Sequence, residues 1–114
     1  MIKYYNAHGT GTSVNDKNEY AALKELFGDK IGDVIVNSTK GIIGHTIGAS
    51  GAVEAAVCAY AIKNGRIHKN ITSNAPDDMN LPTENVSAEI ETAVSASFGF
   101  GGNNCALKFR RVEQ

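Results

Sequence analysis

The most restrictive feature of this sequence is a long, almost uncharged run in its middle. From Gly41 to Ile62 the only charged side chain is Glu54, although charged residues make up 20% of the chain. A run of this length could span a membrane, and Gly44 and Gly48 have the spacing of a transmembrane helix contact. However, glycines crowd its first half and polar side chains interrupt it, which disfavours contact with lipid. We therefore expect a loop that leads into a helix buried on most of its sides.

The second half of this run has the period of a helix. Small and apolar residues recur there at steps of three and four. The predicted buried face consists of Ala49, Ala52, Val53, Ala56, Val57, Tyr60 and Ala61. Cys58 lies in the same helix, and Cys105 is the only other cysteine. Without a CxxC motif, the pair indicates reduced thiols, and we expect both to be small core residues.

Length and charge exclude several classes of function. The chain has 114 residues, the size of one domain, and a formal net charge of −1, so it offers no basic surface for nucleic acid. Its first residues contain no apolar run of signal-peptide length. We expect a cytoplasmic protein that binds neither nucleic acid nor membrane.

Two short apolar runs each lead into a polar loop. Residues 2–7 predict a strand that ends at His8 and a glycine-rich loop, and residues 34–36 predict a strand that leads to Lys40. Between these strands, Ser13 and Asp16 have capping-box spacing at the start of a helix. The predicted apolar face of that helix consists of Tyr20, Leu23, Leu26 and Phe27, before Gly28 ends it.

The last third of the chain predicts a hairpin. Residues 65–90 contain both prolines and many polar residues, and are typical of a long connection. Residues 92–97 and 105–111 then read as strands around a glycine-rich tip. Three loops at strand ends thus carry His8, Lys40 with His45, and Phe100, and in layered α/β folds such loops assemble ligand sites.

A metal site and a phosphate site fit these loops less well. A metal site would need the three histidines and an acid, but no short ligand spacing such as HxxxH occurs. The loop after the first strand could hold a phosphate, but the GxxxxGK[ST] motif is absent. His68 stands beside Lys69 in a polar connection, where we expect a surface residue or a core residue with its hydrogen bonds satisfied.

The motifs resemble those of a known family. They are Asn6-Ala7-His8-Gly9-Thr10-Gly11-Thr12 with Asn15-Asp16, Ser38-Thr39-Lys40 with Gly44-His45, and Ser97-Phe98-Gly99-Phe100-Gly101-Gly102-Asn103. In type and order they resemble the C-terminal half of the bacterial beta-ketoacyl-acyl carrier protein synthase II family. The resemblance implies an α/β, thiolase-like chain, the second half of a five-layered α/β/α/β/α body. Residues 1–114 would then be one C-terminal domain, with the nucleophilic cysteine of the family in the other half.

The resemblance also implies roles for individual residues. His8 and His45 would donate hydrogen bonds to the oxygen on which charge develops, and Lys40 would keep His45 uncharged while pairing with Glu54. The remaining implied site residues are Thr10 and Thr12 for the phosphopantetheine arm, Phe100 for the oxyanion hole and acyl gate, Gly99 and Gly101 as hinges, Phe98 as a support, and Asp16 as a support that would join the ionic network of Lys40 and Glu54. No cofactor is implied, because the substrates travel on the phosphopantetheine of acyl carrier protein. The implied partners are acyl carrier protein, the cysteine-bearing half and a second copy of the protein.

Two alternatives stay open at the level of sequence. The chain could belong to a non-catalytic module, similar to a chain-length factor or an acyl-carrier-binding unit of polyketide synthases. Taken alone, Lys40 and Glu54 could form a purely structural ion pair, and Phe98 and Phe100 could be ordinary hairpin core. His8 and His45 each follow a short predicted strand, so we also predict that the two imidazoles meet in space if those strands are neighbours in one sheet, with Lys40 on the His45 side close to Glu54.

Overall fold

The fold is built around one four-stranded sheet. The computed structural model describes residues 1–71 and 76–112. The strands are β1 (Tyr4–Asn6), β2 (Ile35–Asn37), β5 (Thr92–Phe98) and β6 (Asn104–Arg110). Their order in the sheet is β2-β1-β5-β6, where β1 is parallel to both β2 and β5, and β6 is antiparallel to β5. The predicted hairpin is therefore confirmed, and both sequence-predicted early strands exist in shorter form.

Alternating side chains on these strands build two cores, one on each face of the sheet. Tyr4 and Ile35 point to the face covered by helix α3 (Ser50–Asn64), whereas Tyr5 and Val36 point to the face covered by helix α1 (Ser13–Phe27). This period of two is the ordinary geometry of a strand with both faces covered. The described chain thus has a three-layer helix, sheet, helix arrangement.

Helix α1 begins one residue earlier than its sequence motif indicates. Thr12 is the N-cap, and its hydroxyl accepts a hydrogen bond from the backbone N–H of Asn15. Leu23 is buried and Phe27 is partly buried in the predicted manner, but Leu26 is 65% exposed. The helix ends at Phe27, where Gly28 has a positive φ of 55°.

The buried face of α3 differs from the predicted one. Its buried residues are Ser50, Glu54, Cys58, Ala61 and Ile62. Of the predicted face only Ala61 is buried, and Tyr60 is 56% exposed. The prediction was wrong because it followed hydrophobicity, whereas the inward stripe of this helix begins with a serine and a glutamate. The helix is buried along one stripe rather than on most sides.

Two further expectations need correction. The predicted long connection contains a small antiparallel sheet, β3 (Arg66–Ile67) with β4 (Val86–Ser87). Cys58 is fully buried as predicted, but Cys105 is exposed, because it lies on edge strand β6. Within the described ranges, no helix is both long enough and apolar enough to cross a membrane.

Candidate functional site

Three strand ends meet at one edge of the sheet. Because β1, β2 and β5 are parallel, the segments that follow them lie side by side. The first carries His8, the second leads into a short helix α2 (Lys40–Ile43), and the third leads to Gly99. The structure therefore brings together the three loops that the sequence singled out.

His8 is held in place by the backbone around it. Its main-chain N–H donates to Glu19 Oε1 at 2.7 Å, and the N–H of Gly9 donates to Glu19 Oε2 at 2.9 Å. Gly9 has a φ of +47°, and a Cβ at this position would lie 2.4 Å from Ser38 Oγ. Only glycine therefore allows the loop to pass so close to the end of β2.

Glu19 is a functional residue that sequence reasoning missed. It is buried on α1, and burial raises the pKa of its carboxyl group, although the backbone N–H groups of Gly9 and His8 act in the opposite direction. Its only sequence signal is a glutamate on a helix directly after a glycine-rich loop. Such a carboxylate can bind the exposed N–H groups of the loop.

Lys40 and Glu54 form a buried ion pair, as the resemblance implies. Lys40 Nζ lies 2.5 Å from Glu54 Oε1, and the two side chains are 5% and 2% exposed. Lys40 Nζ also lies 3.4 Å from His8 Nδ1. The ammonium therefore lies beside His8, which corrects the prediction that it would lie on the His45 side.

The position of Lys40 fixes the proton on His8. A protonated amine can only donate, so Nδ1 of His8 accepts and the neutral ring carries its proton on Nε2. Burial, the Lys40 ammonium and His45 all lower the pKa of His8, in that order of size. His8 is thereby kept as a neutral donor.

The proton on His45 is fixed in a different way. Its Nδ1 accepts a hydrogen bond from the backbone N–H of Ile47 at 3.0 Å and lies 3.1 Å from Ser50 Oγ. A backbone N–H can only donate, so the neutral ring again carries its proton on Nε2. Ile47 adopts a φ of +51° here, a costly conformation for a β-branched residue. No sequence pattern predicted this contribution of Ile47.

The two imidazoles meet, as predicted. Their ring centroids are 5.9 Å apart with planes at 89°, and the Phe98 ring lies 5.5 Å from that of His8. His8 is buried and His45 is exposed. Two neutral Nε2–H donors at this spacing can stabilise negative charge on one oxygen atom held between them.

The two threonines and Asp16 form a separate group at the rim. Thr10 Oγ1 and Thr12 Oγ1 are 3.1 Å apart, and Asp16 accepts from the backbone N–H of Gly11 at 3.3 Å. Asp16 is exposed and shapes this loop, so the expectation that it joins the Lys40 and Glu54 pair was wrong. Both hydroxyls remain on the same loop as His8.

The third loop is a glycine-rich turn between β5 and β6. The N–H of Gly99 donates to Asn103 O at 2.8 Å, and Gly101 has a φ of +79°. Phe98 is half-buried and packs against the core on the α1 face. The prediction that the Phe100 ring gates a pocket concerns a side chain outside the described part of the structure.

A cavity of about 610 Å³ opens beside the site. Its polar wall includes Lys40, His45 and Glu19, and its apolar wall includes Leu23 and Met79. Across residues 1–71 and 76–112, no cluster of three or more histidine, cysteine or acidic side chains could hold a metal ion. The chemistry of the site is thus that of hydrogen-bond donors around a buried charge pair.

Comparison with known proteins agrees with this geometry. The model of the family "Beta-ketoacyl synthase, C-terminal domain" matches residues 1–74. The 3-oxoacyl-[acyl-carrier-protein] synthase 2 of Staphylococcus aureus (strain COL) is 40% identical over 116 residues, which cover 98% of this chain and 28% of that protein. This chain therefore spans little more than a quarter of the length of that relative.

Solved structures give the same result. The ishigamide ketosynthase/chain length factor superposes with a TM-score of 0.90 at 33% identity, over 98% of this chain and 28% of that one. A type II polyketide synthase acyl-carrier protein in complex with its ketosynthase (AntDE:AntF) gives 0.90 at 32% identity, over 97% and 28%. The fold is thus the thiolase-like α/β fold of the condensing enzymes, of which the described layers are the C-terminal half. The chain belongs to the beta-ketoacyl synthase family, in its C-terminal domain.

Proposed function

We propose that residues 1–114 form the C-terminal domain of a beta-ketoacyl-[acyl-carrier-protein] synthase of fatty acid elongation. The main support is that the rings of His8 and His45 lie close together. In each ring Nδ1 is engaged by the protein, and Nε2 is left as the donor. The 40% identity to a 3-oxoacyl-[acyl-carrier-protein] synthase 2 supports this assignment.

The proposed reaction is a decarboxylative condensation. A malonyl thioester loses carbon dioxide, and the electron pair of the broken carbon–carbon bond forms an enolate whose charge lies on the thioester oxygen. His8 and His45 donate to this oxygen from Nε2, and Lys40 keeps His8 neutral. The enolate carbon then attacks an acyl thioester on the cysteine of the other half of the enzyme. A new carbon–carbon bond forms, and the cysteine thiolate leaves.

The rim residues complete the proposal. Thr10 and Thr12 bind the phosphopantetheine arm that carries the malonyl group, and their pairing at 3.1 Å presents both hydroxyls on one loop. The backbone N–H of Phe100 forms the oxyanion hole for the acyl thioester, and its ring closes the acyl pocket between Gly99 and Gly101 as hinges. A bound cofactor has no step in this scheme.

The proposed partners are acyl carrier protein, the cysteine-bearing half of the enzyme and a second copy of the enzyme. A related ketosynthase is seen with its acyl-carrier protein, which supports the first partner. The non-catalytic alternative, a chain-length-factor-like module, is less favoured, because a module without chemistry does not need both imidazoles and a buried lysine. The ion pair then has more than a structural role.

The test compares three preparations in one assay. With acyl- and malonyl-acyl carrier protein, residues 1–114 alone should give no beta-ketoacyl product, because the nucleophile is absent. The protein that includes the cysteine-bearing half should give product, and His8→Ala and His45→Ala should each lower kcat by about 100-fold or more. Lys63→Ala, an exposed change at the far end of α3, is the matched control. Product from the 114-residue chain alone, or full rates in both histidine variants, would refute the proposal.

A further inference from the structure

A closed ring of hydrogen bonds joins the ends of β1 and β2, next to the residues that carry the site. The Tyr4 hydroxyl is 2.6 Å from Asn37 Oδ1, and Asn6 Nδ2 is 2.9 Å from the Tyr4 hydroxyl and 2.8 Å from Thr39 Oγ1. Thr39 Oγ1 is 3.0 Å from His68 Nε2, and Asn37 Nδ2 is 2.9 Å from the backbone oxygen of His68. The ring thus begins and ends on His68.

Carbonyl oxygens determine the direction of each bond in this ring. A backbone carbonyl can only accept, so Asn37 must turn its Nδ2 to His68 O and its Oδ1 to Tyr4. The single proton of the Tyr4 hydroxyl then goes to Asn37, and Asn6 must donate to Tyr4 through Nδ2. The same amide group donates to Thr39 Oγ1, and the ring closes through His68 when the Thr39 proton points to Nε2 of its imidazole.

The imidazole of His68 meets this requirement in one protonation state only. Its Nδ1 lies 2.8 Å from the carbonyl oxygen of Lys69 and must therefore carry a proton. In the neutral ring Nε2 is then an acceptor, which is what the Thr39 hydroxyl needs. A second proton on Nε2 would reverse this bond, because the Thr39 hydroxyl would then accept from both Asn6 and His68 and turn its own proton out of the ring.

We propose that neutral His68, protonated on Nδ1, is a positioning residue that fixes the distance between His8 and Lys40 by accepting the Thr39 hydroxyl proton. Thr39 directly precedes Lys40, and Asn6 lies two residues before His8. The ring therefore ties the end of β2 to the end of β1 at the point where each delivers its functional side chain. The catalytic role of this contact rests on the proposed function, whereas its geometry does not.

The titration of His8 reports this distance. The charged and titratable groups around His8 are Lys40 from α2, His45 from the following loop and Glu19 from α1, with Glu54 behind Lys40. Burial, then Lys40, then His45 lower the pKa of His8. If the ring opens and Lys40 moves away, the midpoint of the His8 titration must move to higher pH.

Two matched variants separate a positioning role from a merely structural one. His68→Gln carries its amide group at the place of Nε2, so its oxygen can accept from Thr39. His68→Asn carries its amide group nearer to the place of Nδ1, and cannot. The experiment follows the remaining imidazoles by nuclear magnetic resonance in the full chain, alone and assembled with the cysteine-bearing half. Thermal unfolding of each variant is recorded in parallel.

We expect His68→Gln to keep the wild-type midpoint of His8 and His68→Asn to raise it. Equal midpoints in all three proteins would overturn the inference, as would an equal rise in both variants. In the wild type, imidazole nitrogen shifts should show the Nδ1–H tautomer of His68, which does not depend on the folding of any variant. An Nε2–H tautomer would overturn the inference as well.

The outcome is independent of the condensation assay. If the titrations behave as expected but the complete protein makes no product, the proposed function fails and the positioning of Lys40 by His68 stands. If product forms but the His8 midpoint is the same in the wild type and in both His68 variants, the proposed function stands and the positioning role of His68 fails. In either case the His68 side chain is half-buried and bonded to Thr39, which agrees with the second of the two expectations for this histidine.

Discussion

Replacing Glu54 by glutamine should strongly destabilise the chain, because it leaves a buried ammonium without its partner. Lys40 Nζ and Glu54 Oε1 are 2.5 Å apart in side chains that are 5% and 2% exposed. At an effective dielectric constant of about 20, two charges at this distance attract by about 7 kcal/mol. That gain is comparable to the desolvation penalties of the two ions, so the intact pair is close to neutral for stability.

The Glu54→Gln variant keeps the desolvation penalty of the lysine and loses the attraction. We expect its free energy of unfolding to fall by about 3–5 kcal/mol in urea titrations. Lys40→Met should show a loss of similar size, because the carboxylate is then alone. The double variant Lys40→Met with Glu54→Gln should recover much of the loss. Single losses below about 1 kcal/mol, or a double loss equal to the sum of the singles, would refute this reasoning.

Three further outcomes follow from the same contacts. Gly9→Ala should lower the thermal midpoint, because its Cβ would meet Ser38 Oγ at 2.4 Å in a backbone with positive φ; an unchanged midpoint would contradict the close approach. Burial raises the pKa of Glu19, so the folded state holds the proton more tightly and the free energy of unfolding should fall as pH rises from the ordinary glutamate range to the raised value. Urea titrations across that range should show this slope in the wild type and not in Glu19→Gln. Burial also raises the pKa of Cys58 to about 12, so iodoacetamide at neutral pH should modify Cys105 alone by mass spectrometry, and early labelling of Cys58 would argue against its burial.

The arrangement of the site could be predicted where a sequence motif determines the local backbone geometry. A short apolar strand followed by a glycine-rich loop predicts where His8 lies, and the parallel pairing of β1 with β2 then brings His45 to it. The pairing of Lys40 with Glu54 was predicted from the family resemblance, and it agrees with the rule that buried charges are paired.

The wrong predictions share a physical cause. Hydrophobicity selected the wrong face of α3 because its inward stripe carries Ser50 and Glu54, which serve the site rather than the core. Lys40 was expected beside His45, but Nδ1 of that ring accepts from the backbone N–H of Ile47, whereas Nδ1 of His8 faces the Lys40 ammonium. A sequence pattern does not show which donor lies within hydrogen-bonding distance of a given acceptor.

The register of the strands links the packing of the core to the position of the histidine site at the edge of the sheet. Asn6 lies opposite Asn37 on one side and Ser95 on the other, so all three strands reach the functional edge in step. Because side chains alternate along a strand, a slip of one residue in β1 would exchange the positions of Tyr4 and Tyr5 between the two cores. The same slip would turn Asn6 away from the hydroxyl groups that it bonds and remove His8 from Lys40. The two tyrosines that anchor β1 therefore also set the geometry of the imidazole donors. In the complete enzyme that we propose, a change that preserves core volume but loosens this register should lower the rate of condensation before it unfolds the protein.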